Sequence, residues 1–328
     1  VQTRDVSGFV ANRIGIYALI DVMCRAEEEG FGIEEVDAMT GPLIGRPKTA
    51  TYRLNDLVGI DIVRNVTQGM VDDPAEAPYD RMPDSVNRLV EQGLLGNKTR
   101  QGYYKKEDKD TLSYRFATGS YGPAKPVALP FLKQLGRNLK ENFKTIFDHQ
   151  EDKVARFIWQ SLANVIYYAA INVPKATDDY RNIDRAMVWG YNWRMGPFQI
   201  WDAIGFEAVR DRLRTQFGSL PDWIEQRTEN FYAPDQSISP VKGLEHYIRD
   251  KVWQHDKVSD LYQTDNGKLL LVMRSPNNTF TYDFAQDVIQ AVQVLNRGDY
   301  KAMVLYAEGA NFSLGANICD ISQLIVSG

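Results

Sequence analysis

The sequence predicts a mainly α-helical fold, with two tandem helical domains followed by a partial α/β segment. Three observations carry that expectation. Residues 9–29 and 154–169 hold apolar side chains at the 3.6-residue helical spacing, with no proline inside. A group of residues recurs in one register: Asp56, Gly59, Asp61, Val63 and Arg64 return 146 residues later as Asp202, Gly205, Glu207, Val209 and Arg210. Val36-Asp37 returns as Ile183-Asp184 at 147. From Gly267 onward the texture changes to strand, helix, strand.

Asp5-Val6-Ser7-Gly8 leads into the first helix, with Ser7 or Asp5 placed to cap its free N–H groups. Apolar residues fall on nearly every side of 9–29, so this helix is expected to be buried on several faces. Glu27-Glu28-Glu29-Gly30 ends it, with Gly30 suited to the left-handed position after a helix. Ile33-Glu34-Glu35-Val36-Asp37 starts a shorter helix, and the recurring Asp-Gly-acid register lies beyond it. An internal repeat reshapes the expected architecture. Its period is too long for a solenoid, so two similar domains in tandem is the better reading.

The residues between the repeats are charged and carry Pro123, Pro126 and Pro130, the mark of a linker with some local structure. A second connection holds Pro234 and Pro240. Leu269-Leu270-Leu271-Val272-Met273 and 302–306 read as strands, and 281–295 as the helix between them, an α/β unit. The expected layout is a helical domain at 1–110, a linker at 111–150, a second helical repeat at 151–235, a linker at 236–264 and the α/β segment at 265–328.

The chain has 328 residues, 44% hydrophobic and 25% charged, which supports a large buried core without disulfides. Its net charge of −5 is spread out, and no basic block offers a phosphate-neutralising surface, so no nucleic-acid partner is expected. Cys24 and Cys319 have no cysteine or histidine neighbours, so both read as buried thiols, neither zinc ligands nor a disulfide. That usage suits a reducing cytoplasmic compartment. No run approaches the roughly 20 apolar residues of a membrane span. The most apolar stretch, 157–173, is broken by Gln160, Ser161, Asn164 and Asn172. The chain opens on Val1, one step before a long helix, which leads us to expect further residues upstream.

Asn12 lies about a turn into the first helix, where asparagine has poor propensity. Its amide either braces a neighbouring loop or donates to a substrate oxygen that gains negative charge. The surrounding stretch, Asp5-Val6-Ser7-Gly8-Phe9-Val10-Ala11-Asn12-Arg13, resembles the D-x-P-G-F-x-x-N-R opening of the 3-hydroxyacyl-CoA dehydrogenase C-terminal domain, with Ser7 in place of proline. Gly96-Asn97-Lys98-Thr99-Arg100-Gln101-Gly102-Tyr103-Tyr104 is similar to that family's G-x-K-T-x-x-G-F-Y ending. Met195-Gly196-Pro197-Phe198-Gln199-Ile200-Trp201-Asp202 is similar to its M-G-P-F-x-L-x-D segment, which the first repeat replaces with Thr49-Ala50-Thr51-Tyr52. The resemblance implies that Asn12 assists a catalytic His–Glu pair lying upstream of this domain. Ile158 or Trp159 stands where the second repeat would carry the asparagine, so that repeat is expected to be degenerate and structural. His149, His246 and His255 have no such setting and read as surface or packing residues.

Asn311-Phe312-Ser313-Leu314-Gly315-Ala316-Asn317-Ile318 is a small-residue turn after a strand, able to aim N–H groups into a cavity. With Arg274-Ser275-Pro276-Asn277-Asn278-Thr279-Phe280-Thr281 before it, it resembles the opening of the crotonase (enoyl-CoA hydratase) family. There the matching backbone N–H, of Leu314, is one of two oxyanion-hole donors. Asn317 replaces the usual aspartate, and the family's second donor and two glutamates fall beyond this chain.

Together the resemblances imply part of a bifunctional β-oxidation enzyme. Its substrates would be acyl-CoA thioesters and its cofactor NAD. No GxGxxG fingerprint occurs in the sequence, so NAD is expected on a domain outside it, and this chain alone is expected to be inactive. A homo-oligomer is also implied. Two alternatives remain: a non-catalytic helical module for dimerisation or docking, and a dehydrogenase of the 6-phosphogluconate type. The crotonase-like stretch argues against the latter.

Overall fold

The computed structural model describes residues 1–6, 8–71, 81–233, 247–308, 312–317 and 320. The chain divides into two compact units, Val1–Ile238 and Ser239–Gly328.

The first unit is built on two long helices, α1 (Val10–Glu29) and α7 (Lys153–Lys175). Gly30 closes α1 in the left-handed conformation at φ 74, returning its N–H to the Ala26 carbonyl. The capping expectation needs correction. Phe9 holds the N-cap position and supplies no side-chain bond, so Asp5 does not cap α1, and Ser7 lies outside the described residues. In α7, Asp152 caps the Val154 and Ala155 N–H groups, and regular helix is interrupted at Val173, before Pro174. The two helices run antiparallel. Arg13 donates to Asn172 at 3.0 Å, and the Tyr17 ring meets Tyr168 at 4.4 Å. Asp21 accepts from Asn164 at 2.6 Å, and Arg25 donates to Gln160 at 2.9 Å. Each step of four along α1 is matched by a step of four back along α7, because residues four apart share a helix face.

Each long helix is followed by the same succession of shorter ones. After α1 come α2 (Ile33–Met39), α3 (Tyr52–Val58), α4 (Ile60–Val71) and α5 (Asp84–Glu91). After α7 come α8 (Tyr180–Gly190), α9 (Pro197–Ile204), α10 (Phe206–Phe217) and α11 (Asp222–Glu225). The recurring glycines, Gly59 and Gly205, each end the second short helix with positive φ, 106 and 138.

The recurring aspartates explain the rest of the register. Asp37 accepts the N–H groups of Thr51 and Tyr52 at 3.0 and 2.7 Å and the Tyr104 hydroxyl at 2.8 Å. Asp184 accepts Phe198 and Gln199 N–H, both at 3.0 Å, and the Tyr232 hydroxyl at 2.8 Å. Asp56 holds Tyr103 and Tyr104 N–H at 2.7 and 2.8 Å, and Asp202 holds Phe231 and Tyr232 N–H at 3.0 and 2.8 Å. One carboxylate thus ties the start of a short helix, and a second ties the segment that closes over it.

The 111–150 stretch is not a plain linker. Strands β1 (Tyr104–Glu107), β2 (Asp110–Arg115) and β3 (Ser120–Pro123) form an antiparallel meander, and α6 (Leu139–Asp148) follows, capped by Asn138. The strands are largely polar because much of their surface faces water, while Ser113 and Tyr114 are buried. Phe143 and Ile146 of α6 join a core continuous with that of α1 and α7.

The second unit is a four-stranded sheet ordered β4 (Ile248–His255), β5 (Ser259–Thr264), β6 (Leu269–Met273), β7 (Met303–Ala307). The 236–264 linker expectation is corrected here, since it contains β4 and β5. β4, β5 and β6 pair antiparallel, and α12 (Tyr282–Arg297) carries the chain from β6 to a parallel β7. Thr281 caps α12 through the Phe284 N–H at 3.0 Å. The last strand sits one residue later than the expected 302–306, because Met303 pairs with Leu269. On one side of the sheet Leu269, Leu271 and Met273 pack with Phe284 and Ala291 of α12. β7 is much less covered, with Val304 at 45% and Leu305 at 38% exposure.

Candidate functional site

A cleft of about 1040 Å³ opens at the N-terminal end of α1. Its lining includes Arg4, Phe9, Asn12 and Arg13, Val66 and Met70 of α4, and Trp189 of α8. The wall is mostly apolar, and two aromatic rings stand open to solvent: Phe9 is 81% and Trp189 49% exposed. The segment before α1 is tied to the second repeat. Arg4 N–H reaches the Ala176 carbonyl at 2.8 Å, and Asn182 donates to the Gln2 carbonyl at 2.8 Å.

Asn12 is the third residue of α1 and half-buried in this cleft. It lies past the N-cap, which Phe9 holds. Its Oδ1 accepts a hydrogen bond from the Tyr191 hydroxyl at 3.3 Å. Tyr191 follows α8, and its ring lies against α1 at Gly15. A Cβ at Gly15 would stand 2.2 Å from the ring, so only glycine permits that approach. Burial pushes the Tyr191 hydroxyl up to about 12, so it remains a donor at neutral pH. Arg13, beside Asn12, is buried and bonded to Asn172, next to the break in α7. It holds the two long helices together.

Tyr191, Trp189 and Asn172 were not identified from the sequence. All three lie in the second repeat, and the repeat register gives no hint of Tyr191, since its counterpart at 146 residues earlier is Gly45. Ile158 and Trp159, the second-repeat positions matching Asn12, are both buried in the core.

Leu314 lies in irregular backbone after β7 and is 62% exposed. The neighbouring backbone is fixed, as Phe280 N–H donates to the Gly315 carbonyl and Asn317 N–H to the Phe280 carbonyl, both at 2.9 Å. The Leu314 N–H has no acceptor among the described residues. Asn311, Ile318 and Cys319 lie outside the described residues, as does His246. His149 sets Nδ1 at 2.8 Å from the Thr145 carbonyl. His255 pairs with Asp287 of α12 at 2.9 Å, and the Ser259 hydroxyl donates to the same carboxylate at 2.8 Å, a joint between sheet and helix. Cys24 is buried, and burial pushes its thiol up to about 12. Among the described residues no His, Cys, Asp and Glu cluster could hold a metal, and no helix is long and apolar enough to cross a membrane.

The passage from β6 to α12 does not fit the dinucleotide implied by the sequence. A pyrophosphate site needs a strand passing through a glycine-rich turn into an open helix N-terminus. The passage from β6 to α12 contains no glycine, and the Thr281 hydroxyl already occupies the helix end.

Known proteins resemble this chain in part or along its length. Residues 8–106 match the family described as 3-hydroxyacyl-CoA dehydrogenase, C-terminal domain. A probable 3-hydroxyacyl-CoA dehydrogenase of Bacillus subtilis is 31% identical over 98% of this chain and 44% of its own length. A putative fatty acid oxidation complex trifunctional enzyme of Rickettsia prowazekii is 23% identical over 100% of this chain and 45% of its own. The chain thus spans less than half the length of these relatives. A solved 3-hydroxybutyryl-CoA dehydrogenase of Escherichia coli K12 superposes with a TM-score of 0.45 at 17% identity, covering 69% of this chain and 60% of that one, a likeness too slight to build on.

Proposed function

With residues 8–106 in the 3-hydroxyacyl-CoA dehydrogenase C-terminal domain family, we propose that the first unit is the substrate-side helical part of such an enzyme, acting on 3-hydroxyacyl-CoA in fatty-acid oxidation. The observation that carries this is Asn12, set on the family's matching stretch and opening into a largely apolar cleft. Its amide would hold the substrate oxygen at the reacting carbon, where a fixed donor strengthens as negative charge develops. Phe9, Val66, Met70 and Trp189 would cover the acyl part and exclude water. NAD would be held by a domain outside this sequence, and the second helical repeat would be a degenerate copy, structural apart from what it lends to the cleft wall, such as the Trp189 ring.

The test is turnover. In a protein that joins this chain to a dinucleotide-binding domain, NADH should form from 3-hydroxybutyryl-CoA, and Asn12→Ala should lower kcat about 10²–10³-fold, the usual effect of removing one such donor. Unchanged turnover by the variant, or no NADH from any 3-hydroxyacyl-CoA, would overturn the proposal. This chain alone should show no saturable NAD binding by calorimetry.

For the second unit we propose the opening part of a crotonase-like hydratase domain. The supporting observation is the Leu314 N–H, which has no acceptor among the described residues and follows a β6–α12–β7 crossover. One N–H without a second donor or a base does not make a hydratase site, so crotonyl-CoA hydration by this chain alone should stay at background. Turnover above background would contradict that.

A further inference from the structure

Two residues that break the repeat register meet at one place. Asn12 is present only in the first repeat, where the second has buried Ile158 or Trp159, and Tyr191 only in the second, where the first has Ile44 or Gly45. The antiparallel crossing of α1 on α7 brings α8 against the start of α1, and there the Tyr191 hydroxyl donates to Asn12 Oδ1 at 3.3 Å. The approach is tight: Gly15 leaves room for the Tyr191 ring, and a Cβ on Gly190 would come within 3.2 Å of Ala11. Glycine inside a helix is unfavourable relative to alanine, so the Gly15 vacancy stands against helix propensity.

An amide has one acceptor end and one donor end. The geometry points to Tyr191 as a positioning residue for Asn12, holding Oδ1 so that the Nδ2 donor is presented to the substrate oxygen in the cleft. The Tyr191 hydroxyl oxygen faces Asn12 Oδ1, an atom that can only accept, so at that contact the phenol must donate. Packing alone would need only the ring against Gly15, whereas the hydroxyl bond acts on the amide orientation. This inference rests on the proposed catalytic role of Asn12. The second repeat then contributes directly to the first repeat's site, in addition to bearing on it.

Tyr191→Phe keeps the ring and removes the hydroxyl alone. In this chain labelled with ¹⁵N-asparagine, the side-chain amide pair that vanishes in Asn12→Ala should shift in Tyr191→Phe, with the other asparagine pairs in place. In the protein that joins this chain to a dinucleotide-binding domain, Tyr191→Phe should lower kcat about 3- to 10-fold, the worth of one neutral hydrogen bond, with KM within about twofold. Added to Asn12→Ala, it should lower kcat no further. A loss with Asn12→Ala but none with Tyr191→Phe overturns the positioning role and leaves the Asn12 role standing. An equal loss from Tyr191→Phe in both backgrounds also overturns it. No loss with Asn12→Ala overturns the Asn12 role, and this inference with it.

Discussion

The two halves of the helical unit use the same carboxylate ties and differ in almost everything that faces the cleft. Asp37 and Asp184 each accept backbone N–H groups at the start of a short helix, three and two respectively, and one tyrosine hydroxyl, and Asp56 and Asp202 each hold the returning segment by two N–H groups. The halves diverge at Asn12 against Ile158 and at Gly45 against Tyr191. The scaffold depends on buried N–H groups being satisfied, which leaves little freedom to change the aspartates. The cleft depends on a few side chains, which one half can lose.

The largest expected effect breaks the shared part. Asp184 is fully buried, so Asp184→Asn, which turns an acceptor into a donor facing a backbone N–H, should cost about 2–4 kcal/mol. Asp37→Asn, at a half-buried position, should cost less. Chemical denaturation of both variants checks the order, and a larger loss at Asp37 would show that the two ties are not equivalent.

A smaller effect sharpens the difference at the helix start. A Cβ on Gly196 would lie 2.4 Å from the Asp184 carboxyl carbon and 2.5 Å from its Cα, so Gly196→Ala should cost about 1–3 kcal/mol. The first repeat has Ala50 at the matching place and accommodates it with φ 49, the left-handed region. Ala50→Gly should therefore stabilise, by about 1 kcal/mol. Thermal melting of the pair decides, and a stabilising Gly196→Ala would contradict the steric account.

Acidity separates the halves more gently. Burial pushes Asp37 and Asp56 up to about 6 and Asp184 up to about 7, despite the N–H bonds that pull each down. Because these values lie above the roughly 4 of an unfolded aspartate, the folded chain binds these protons more tightly. That stabilisation is complete below about pH 4 and is lost as pH rises through about 6 and then about 7. The Tm should fall from about pH 5 to about pH 8, most steeply near pH 6 to 7. A Tm that rises over that window would show that the N–H bonds outweigh burial.

Much of this was legible because it is local. The long helices announce themselves by period, Gly30 by its place after Glu29, and the Asp56–Gly59 register by its return at Asp202–Gly205. Asn12 could be singled out by its resemblance and its poor helical propensity. What was not legible depends on tertiary contact. Strands β1 to β3 are polar and short, and prolines 123, 126 and 130 obscured the amphipathic α6 that follows. β4 is mostly exposed and has no alternating apolar signal. Tyr191 reaches Asn12 across 179 residues of sequence, and only the crossing of α1 and α7 brings them together.

The central claim is that the first half carries the chemistry and the matching place in the second half is core. It is tested most directly by comparing Asn12→Ala with Ile158→Ala, in a protein that joins this chain to a dinucleotide-binding domain, by kcat and Tm together. Asn12→Ala should lower kcat about 10²–10³-fold with little change in Tm. Ile158→Ala should leave a cavity costing about 2–5 kcal/mol, lowering Tm by roughly 5–15 °C, while kcat of the folded protein stays within about twofold. Equal losses of kcat from the two variants, or an Asn12→Ala protein that loses Tm and keeps its turnover, would contradict the account.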